Sequence, residues 1–221
     1  MIAASKSSSS RATLNSTSSM DSTGKIAIDS EPMAKKGVKD SMGGNYGRTL
    51  RQILKVNELQ NESAERIAEI WNTYHAEKMV ISASITHKIY NIIHTRGKRF
   101  PMFILPLPRL NGFEFYLCQF AAHQVYYTSL LEYQTKQQDS VPSFVTSHFT
   151  EFSDKDLVLM VGELTDPAGE QLKLSDAQNL VYQTQLFYAT GSQQQMELVE
   201  QFANNPESFD HNRLVDAVVT V

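Results

Sequence analysis

The sequence predicts an α+β fold, in which a central, mainly antiparallel sheet of about five or six strands carries helices packed on it. Three observations predict it. The stretch from Phe100 to Thr135 holds three apolar, aromatic runs separated by short turn signals. Asn111-Gly112, between the first two runs, tolerates the positive φ that a tight two-residue hairpin requires. The second and third runs place apolar groups on both faces, as in a sheet covered on both sides.

Residues 1–48 are set apart by composition. Ser5, Ser7 to Ser10, Ser16, Ser18, Ser19 and Ser22 crowd the start, and Lys6 and Arg11 are the only charges before Asp21. So little apolar surface cannot offset the entropy of ordering, and a disordered Ser/Gly-rich tail is expected. A Ser-rich, basic, acid-free start also has the composition of an organelle transit peptide, without an Arg-rich amphipathic helix. Gly43-Gly44-Asn45-Tyr46-Gly47 fails as a phosphate loop because no Lys-Ser/Thr follows and no strand precedes it. It reads as a hinge ahead of a single α+β domain over 49–221.

Leu50, Ile53, Leu54 and Val56 form a short apolar stripe. Asn61 is placed to cap a helix with Glu62 and Glu65 in its first turn, and Ile67, Ile70, Trp71 and Tyr74 fall at helical spacing. The completeness of that stripe makes Trp71 a core anchor rather than a binding hot spot. A strand over Met79 to Ile85 precedes a helix capped by Thr86 and ended by Gly97. With the next strand, to Phe103, this could form a crossover unit, right-handed if its strands are parallel. His87 and His94 lie seven apart on that helix, and two histidines without a third ligand make a surface pair rather than a metal site.

Pro106 and Pro108 lack a donor N–H, so the first strand of the aromatic stretch ends or becomes an edge there. Phe113, Phe115, Leu117 and Gln119 share one face of the second strand; Glu114, Tyr116, Cys118 and Phe120 share the other. The third run alternates from Val125 to Gln134. Ser143 to Phe149 alternates as a strand, and Leu157 to Glu163 is a nearly continuous apolar run, a buried strand. Asp166-Pro167-Ala168-Gly169 makes a turn. Ser175 with Gln178, and Ser192 with Gln195, have capping-box spacing for two helices, the first ended by Gly191. The second points Met196, Val199, Phe202 and Ala203 inward and stops at Asn204-Asn205-Pro206. Asp210 caps a last short helix bearing Leu214, Val215, Val218 and Val219.

Composition excludes several classes. The chain is 41% hydrophobic and 20% charged, with a formal net charge of −4. A general nucleic-acid binder needs a basic field, so none is expected. No apolar run approaches the roughly 20 residues of a membrane span, and no membrane insertion is expected. The single cysteine, Cys118, excludes an internal disulfide and a cysteine-based zinc site. None of the short catalytic motifs built around nucleophile elbows, metalloprotease helices or dinucleotide loops is present.

The residues from Phe103 through Pro108-Arg109, Gly112-Phe113-Glu114-Phe115-Tyr116, Gln119-Phe120, Tyr127 to Leu131, Gln134-Thr135, Val158-Leu159-Met160 with Glu163, and Gln185 to Ala189 resemble a known family. In order and spacing they are similar to the mitochondrial ATP synthase F(1)-sector assembly chaperones, over roughly Leu50 to the C-terminus. Phe120 stands where animal members would carry tryptophan. The resemblance implies a non-enzymatic protein of the mitochondrial matrix, without a cofactor. It implies binding to the unassembled β subunit on the surface that the α subunit later takes. Exposed aromatics with a polar rim are the expected contact, with Tyr116, Phe120, Tyr126 and Phe187 as candidates. The competing expectation is an enzyme or small-ligand-binding protein using a pocket between sheet and helices, with Cys118 or His148.

Overall fold

The computed structural model describes residues 47–166 and 168–219; the expected tail therefore lies, up to residue 46, outside the described residues. The described chain begins with two single-turn helices, α1 (Leu50–Ile53) and α2 (Val56–Leu59), then α3 (Ala64–His75). Ser63, not Asn61, caps α3: its hydroxyl accepts the Arg66 N–H from an extended backbone at φ −72°. Strand β1 (Val80–Thr86) leads into α4 (His87–Arg99), where Thr86 accepts from Ile89 N–H as expected. Then come β2 (Met102–Arg109), β3 (Gly112–Ala121) and β4 (Gln124–Ser129).

The third aromatic run does not stay extended. After Ser129 it winds into α5 (Leu130–Lys136), with Leu130 and Tyr133 buried and Leu131 exposed. Strands β5 (Phe144–Phe149) and β6 (Leu157–Leu164) follow. The chain ends with α6 (Leu174–Gln185), a π-helical turn (Leu186–Thr190), α7 (Gln193–Asn204) and α8 (His211–Val219).

The six strands form one sheet in the order β1-β6-β5-β4-β3-β2, antiparallel at every step. Thus β1 and β2 occupy opposite edges, and the strand-helix-strand segment from β1 to β2 is no parallel crossover. Pro106 and Pro108 sit in β2 without breaking it, because an edge strand can leave the proline positions unbonded. In the β2–β3 hairpin Arg109 pairs with Gly112, so Leu110 and Asn111 are the loop and Gly112, at φ 135°, opens β3.

Each sheet face supports its own core. The face bearing Phe103, Cys118, Tyr127 and Phe144 packs with Phe187, Tyr188, Leu198, Val199 and Phe202 from the C-terminal elements. Against the other face, Leu50, Val56, Ile67 and Trp71 meet Phe149, Leu159 and Val161. Trp71 is fully buried and its indole N–H donates to the Met160 carbonyl at 3.0 Å.

Gly97 does not end α4, which runs on to a basic last turn with Arg96, Lys98 and Arg99, favourable at a helix C-terminus. Its lack of a side chain serves packing: a Cβ there would stand 2.5 Å from the Phe120 ring. Gly97→Val should therefore cost about 3 kcal/mol through overpacking. Urea denaturation checks it, and Phe120→Ala in the same chain should recover part of the loss.

The C-terminal elements follow their local signals unevenly. Ser175 caps nothing, since α6 begins at Leu174 behind Lys173, after a loop held by the Asp166 carboxylate through the N–H groups of Ala168, Glu170 and Gln171. The Ser192–Gln195 capping box is present, and Asp210 accepts from Asn212 and Arg213 N–H. On α7 Leu198 is buried where Ala203 was expected inward, and Ala203 is exposed.

Candidate functional site

The four aromatic candidates divide between the two faces. Tyr116, Phe120 and Phe187 belong to the C-terminal helical side. Tyr116 is 1% exposed, and burial, helped by the neighbouring Glu114 carboxylate, raises its phenol well above the usual value. Phe187, also 1% exposed, packs against Phe103 with ring centroids 5.0 Å apart and planes tilted by 58°. The π turn makes Leu186, Phe187 and Tyr188 buried in succession, which no regular helix does with one buried stripe. Phe120 is half-buried, with its ring against Gly97 and 4.5 Å from Tyr188. Tyr126 lies on the opposite face, paired across strands with Gln119 and Val145.

Around Tyr126 a row of side chains crosses four strands on that face. Gln119 Nε2 reaches Met102 Sδ at 3.7 Å. The Tyr126 hydroxyl donates to Gln124 Oε1 at 2.7 Å, and Gln124 Nε2 donates to Ser147 Oγ at 2.9 Å. Met102, Gln124, Tyr126 and Ser147 are half-buried, whereas Gln119 is buried and its Oε1 accepts no hydrogen bond. An aromatic ring, amides and a hydroxyl thus share a ledge with one unmet acceptor, a mixture suited to a protein contact. The alternation of β4 places Gln124 and Tyr126 on one face, and pairing with Tyr126 puts Gln119 of β3 on it too. Only the strand register, which brings Met102 and Ser147 beside them, assembles the row.

The buried thiol of Cys118 stands 3.9 Å from Thr184 Oγ1, and burial pushes it up to about 12. A thiol so placed is a packing group, not a nucleophile. His123 and His148 do not meet it. They gather instead around Tyr90 on α4: the phenol oxygen is 2.6 Å from His123 Nδ1, and His94 stacks on His123 with ring centroids 5.1 Å apart. His148 lies under the Tyr90 ring, its centroid 5.1 Å away, with Nδ1 3.2 Å from the His123 carbonyl. Desolvation lowers His148 to about 4, aided by the neighbouring imidazoles, and raises Tyr90 to about 12. Among the described residues no group of three or more His, Cys, Asp or Glu is placed to hold a metal ion. A depression of about 480 Å³ lined by Glu197, Glu200, Gln201 and Asn204 involves neither Cys118 nor His148. No helix of the described residues is long and apolar enough to cross a membrane.

Other exposed apolar side chains are Leu110 and Phe113 at the β2–β3 hairpin, Leu131, Val141 and Tyr182, and Tyr74 with Met79 before β1. The hairpin is tied down by Arg109, which bonds Glu114 and Asp176 at 2.8 Å each.

Compared with known proteins, residues 2–215 match the family described as ATP11 protein. The chain belongs to the ATP11 family. Among curated ATP11-like relatives, it is similar to "ATP synthase mitochondrial F1 complex assembly factor 1" of Danio rerio, 34% identical over 82% of this chain and 59% of the relative. The Homo sapiens protein of the same name is 30% identical over 78% of this chain and 52% of the relative. "Protein atp11, mitochondrial" of Schizosaccharomyces pombe is 28% identical over 63% of this chain and 50% of the relative. The chain thus spans between half and three-fifths of the length of these curated relatives.

Proposed function

We propose that this chain is a molecular chaperone for assembly of the catalytic F(1) sector of the mitochondrial ATP synthase. It holds the unassembled β subunit by the surface that α later occupies. The observation that carries the reading is membership of the ATP11 family together with relatives named as F1 assembly factors. Their names also support a mitochondrial location, and the proposed client places the protein in the matrix. The mechanism is mass action. An unassembled subunit exposes an apolar interface that aggregates with itself, and a one-to-one partner covers that interface until a tighter one displaces it. Surface exclusion of this kind requires no catalysis and no cofactor.

Of the four aromatic candidates, Tyr126 and the accessible part of Phe120 are those with side-chain surface to offer. The Tyr126–Gln124–Ser147 ledge is our choice for the client contact. In it the Tyr126 ring supplies apolar area, and the half-buried Gln124 and Ser147 supply the polar groups. Tyr116 and Phe187 then act through packing.

In cells lacking the protein but synthesising both subunits normally, α and β should collect in the insoluble fraction; soluble, assembled enzyme there would contradict the chaperone reading. Tyr126→Ala combined with Gln124→Ala should weaken β binding by roughly tenfold or more, as removal of a contact aromatic does, without unfolding the protein. Unchanged binding would move the contact elsewhere.

A further inference from the structure

We infer that the open edge of the sheet, strand β1, docks an extended segment of the client as a seventh strand. The inference rests on the chaperone reading and deepens it. Among the described residues, β1 pairs with β6 alone, and no other described group bonds the outward-facing N–H and C=O groups of Ile81 to Ile85. Such a row is a template for another strand. The two sheet edges differ in their protection. Edge strand β2 carries Pro106, Pro108 and Arg109, which discourage added pairing. Strand β1 reads Val-Ile-Ser-Ala-Ser-Ile-Thr, seven residues without a charge or a proline, and none of them is buried.

The surroundings specify the partner. Ile81, Ala83 and Ile85 share one face of the edge, while Val80, Ser82, Ser84 and Thr86 share the other, so small and β-branched side chains fit beside it. Met79 and Tyr74, 67% and 41% exposed, extend an apolar surface from the Val80 end. Lys78, whose Nζ lies 3.1 Å over the Tyr74 ring, and Lys88, whose backbone N–H donates to Asp156 Oδ1 at 3.3 Å, stand near opposite ends of the strand, and the Nζ of neither forms an ion pair with a described carboxylate. The matching segment is uncharged and β-branched in its middle and flanked by carboxylates. A second copy of this chain fits less well. Antiparallel self-pairing centred on Ala83 runs the Lys78 end of each copy toward Lys88 of the other, setting like charges together.

The test is hydrogen–deuterium exchange on the full chain, alone and with isolated β subunit after light scattering has established a complex. In the free chain the outward-facing amides of 80–86 should exchange fast. In the complex they should slow by about tenfold or more. Ser82→Lys with Ser84→Lys should leave the melting temperature near that of the parent and weaken β binding by at least about tenfold, as charges on an edge block strand addition. Ser84→Thr should bind normally. A complex without protection at 80–86 overturns the inference and leaves the chaperone reading standing. So does protection already present in the free chain, which would mean that the chain covers its own edge, or a free-chain dimer dispersed by the Lys substitutions. Absence of any complex with β removes the chaperone reading itself, and the inference with it.

Discussion

Trp71→Ala is expected to lower stability by about 3–5 kcal/mol, the range for removing a fully buried large aromatic side chain. Three losses add. The indole fills the centre of the core made by α1, α2 and α3 on β5 and β6, with Phe149 5.7 Å away edge-on. Its N–H bond to the Met160 carbonyl disappears. The His75 ring, 4.2 Å from the indole, loses its packing partner while its Nδ1 remains 2.9 Å from the residue-71 carbonyl. Trp71→Phe separates these contributions, since it retains much of the apolar area and removes the N–H. Chemical denaturation followed by circular dichroism should rank parent, Phe and Ala in that order. A loss below about 1 kcal/mol in the Ala variant would mean that α3 is not anchored as described.

The second large effect is on the pH dependence of stability. His148 titrates near 4 in the folded protein because burial disfavours its charged form, against about 6.5 when unfolded. The unfolded chain therefore takes up a proton as pH falls through 6.5 while the native chain does not. The neutral ring's advantage is present above 6.5, declines between 6.5 and 4, and declines no further once the native ring also protonates. The shift corresponds to at most roughly 3 kcal/mol. The groups facing His148 are Tyr90 from α4 and the imidazoles of His94 and His123, with Lys98 near His94. His75 and His211 are also lowered by burial, so the parent protein should lose more than His148 alone accounts for. His148→Phe retains a ring under Tyr90 and removes the titration. Denaturation midpoints at pH 7.0 and pH 4.5 should converge in this variant relative to the parent, and equal pH slopes would contradict the assignment.

Much of this architecture could be read from local chemistry. Thr86, the Ser192–Gln195 box and Asp210 cap helices because each has a short polar acceptor ahead of an apolar stripe. The Pro106–Pro108 pair marked an edge because proline cannot donate to a neighbour. Where two local signals competed, tertiary packing decided. Leu130 to Gln134 fits a period of two as well as a single helical turn, and burial of Leu130 with Tyr133 selects the helix. Ser175 lost its capping role because the Asp166 loop delivers the chain two residues earlier, with Lys173 at the cap position. Gly97 looked like a helix terminator until Phe120, distant in sequence, came to rest on it. The candidate surface was the least legible part. Alternation sorts the side chains within one strand, but only the register shows that Tyr116 and Tyr126 point oppositely and which of them stays accessible. The open edge at β1 also depends on strand order, which no local pattern contains.

Size exclusion with light scattering on the purified chain, mixed with isolated β subunit and separately with isolated α, tests whether the protein holds β. A β-subunit chaperone forms a complex with β alone, larger than β by one copy of this 24.9 kDa chain, that disperses when α is added. No complex with β at concentrations well above micromolar, or a preference for α, would contradict it.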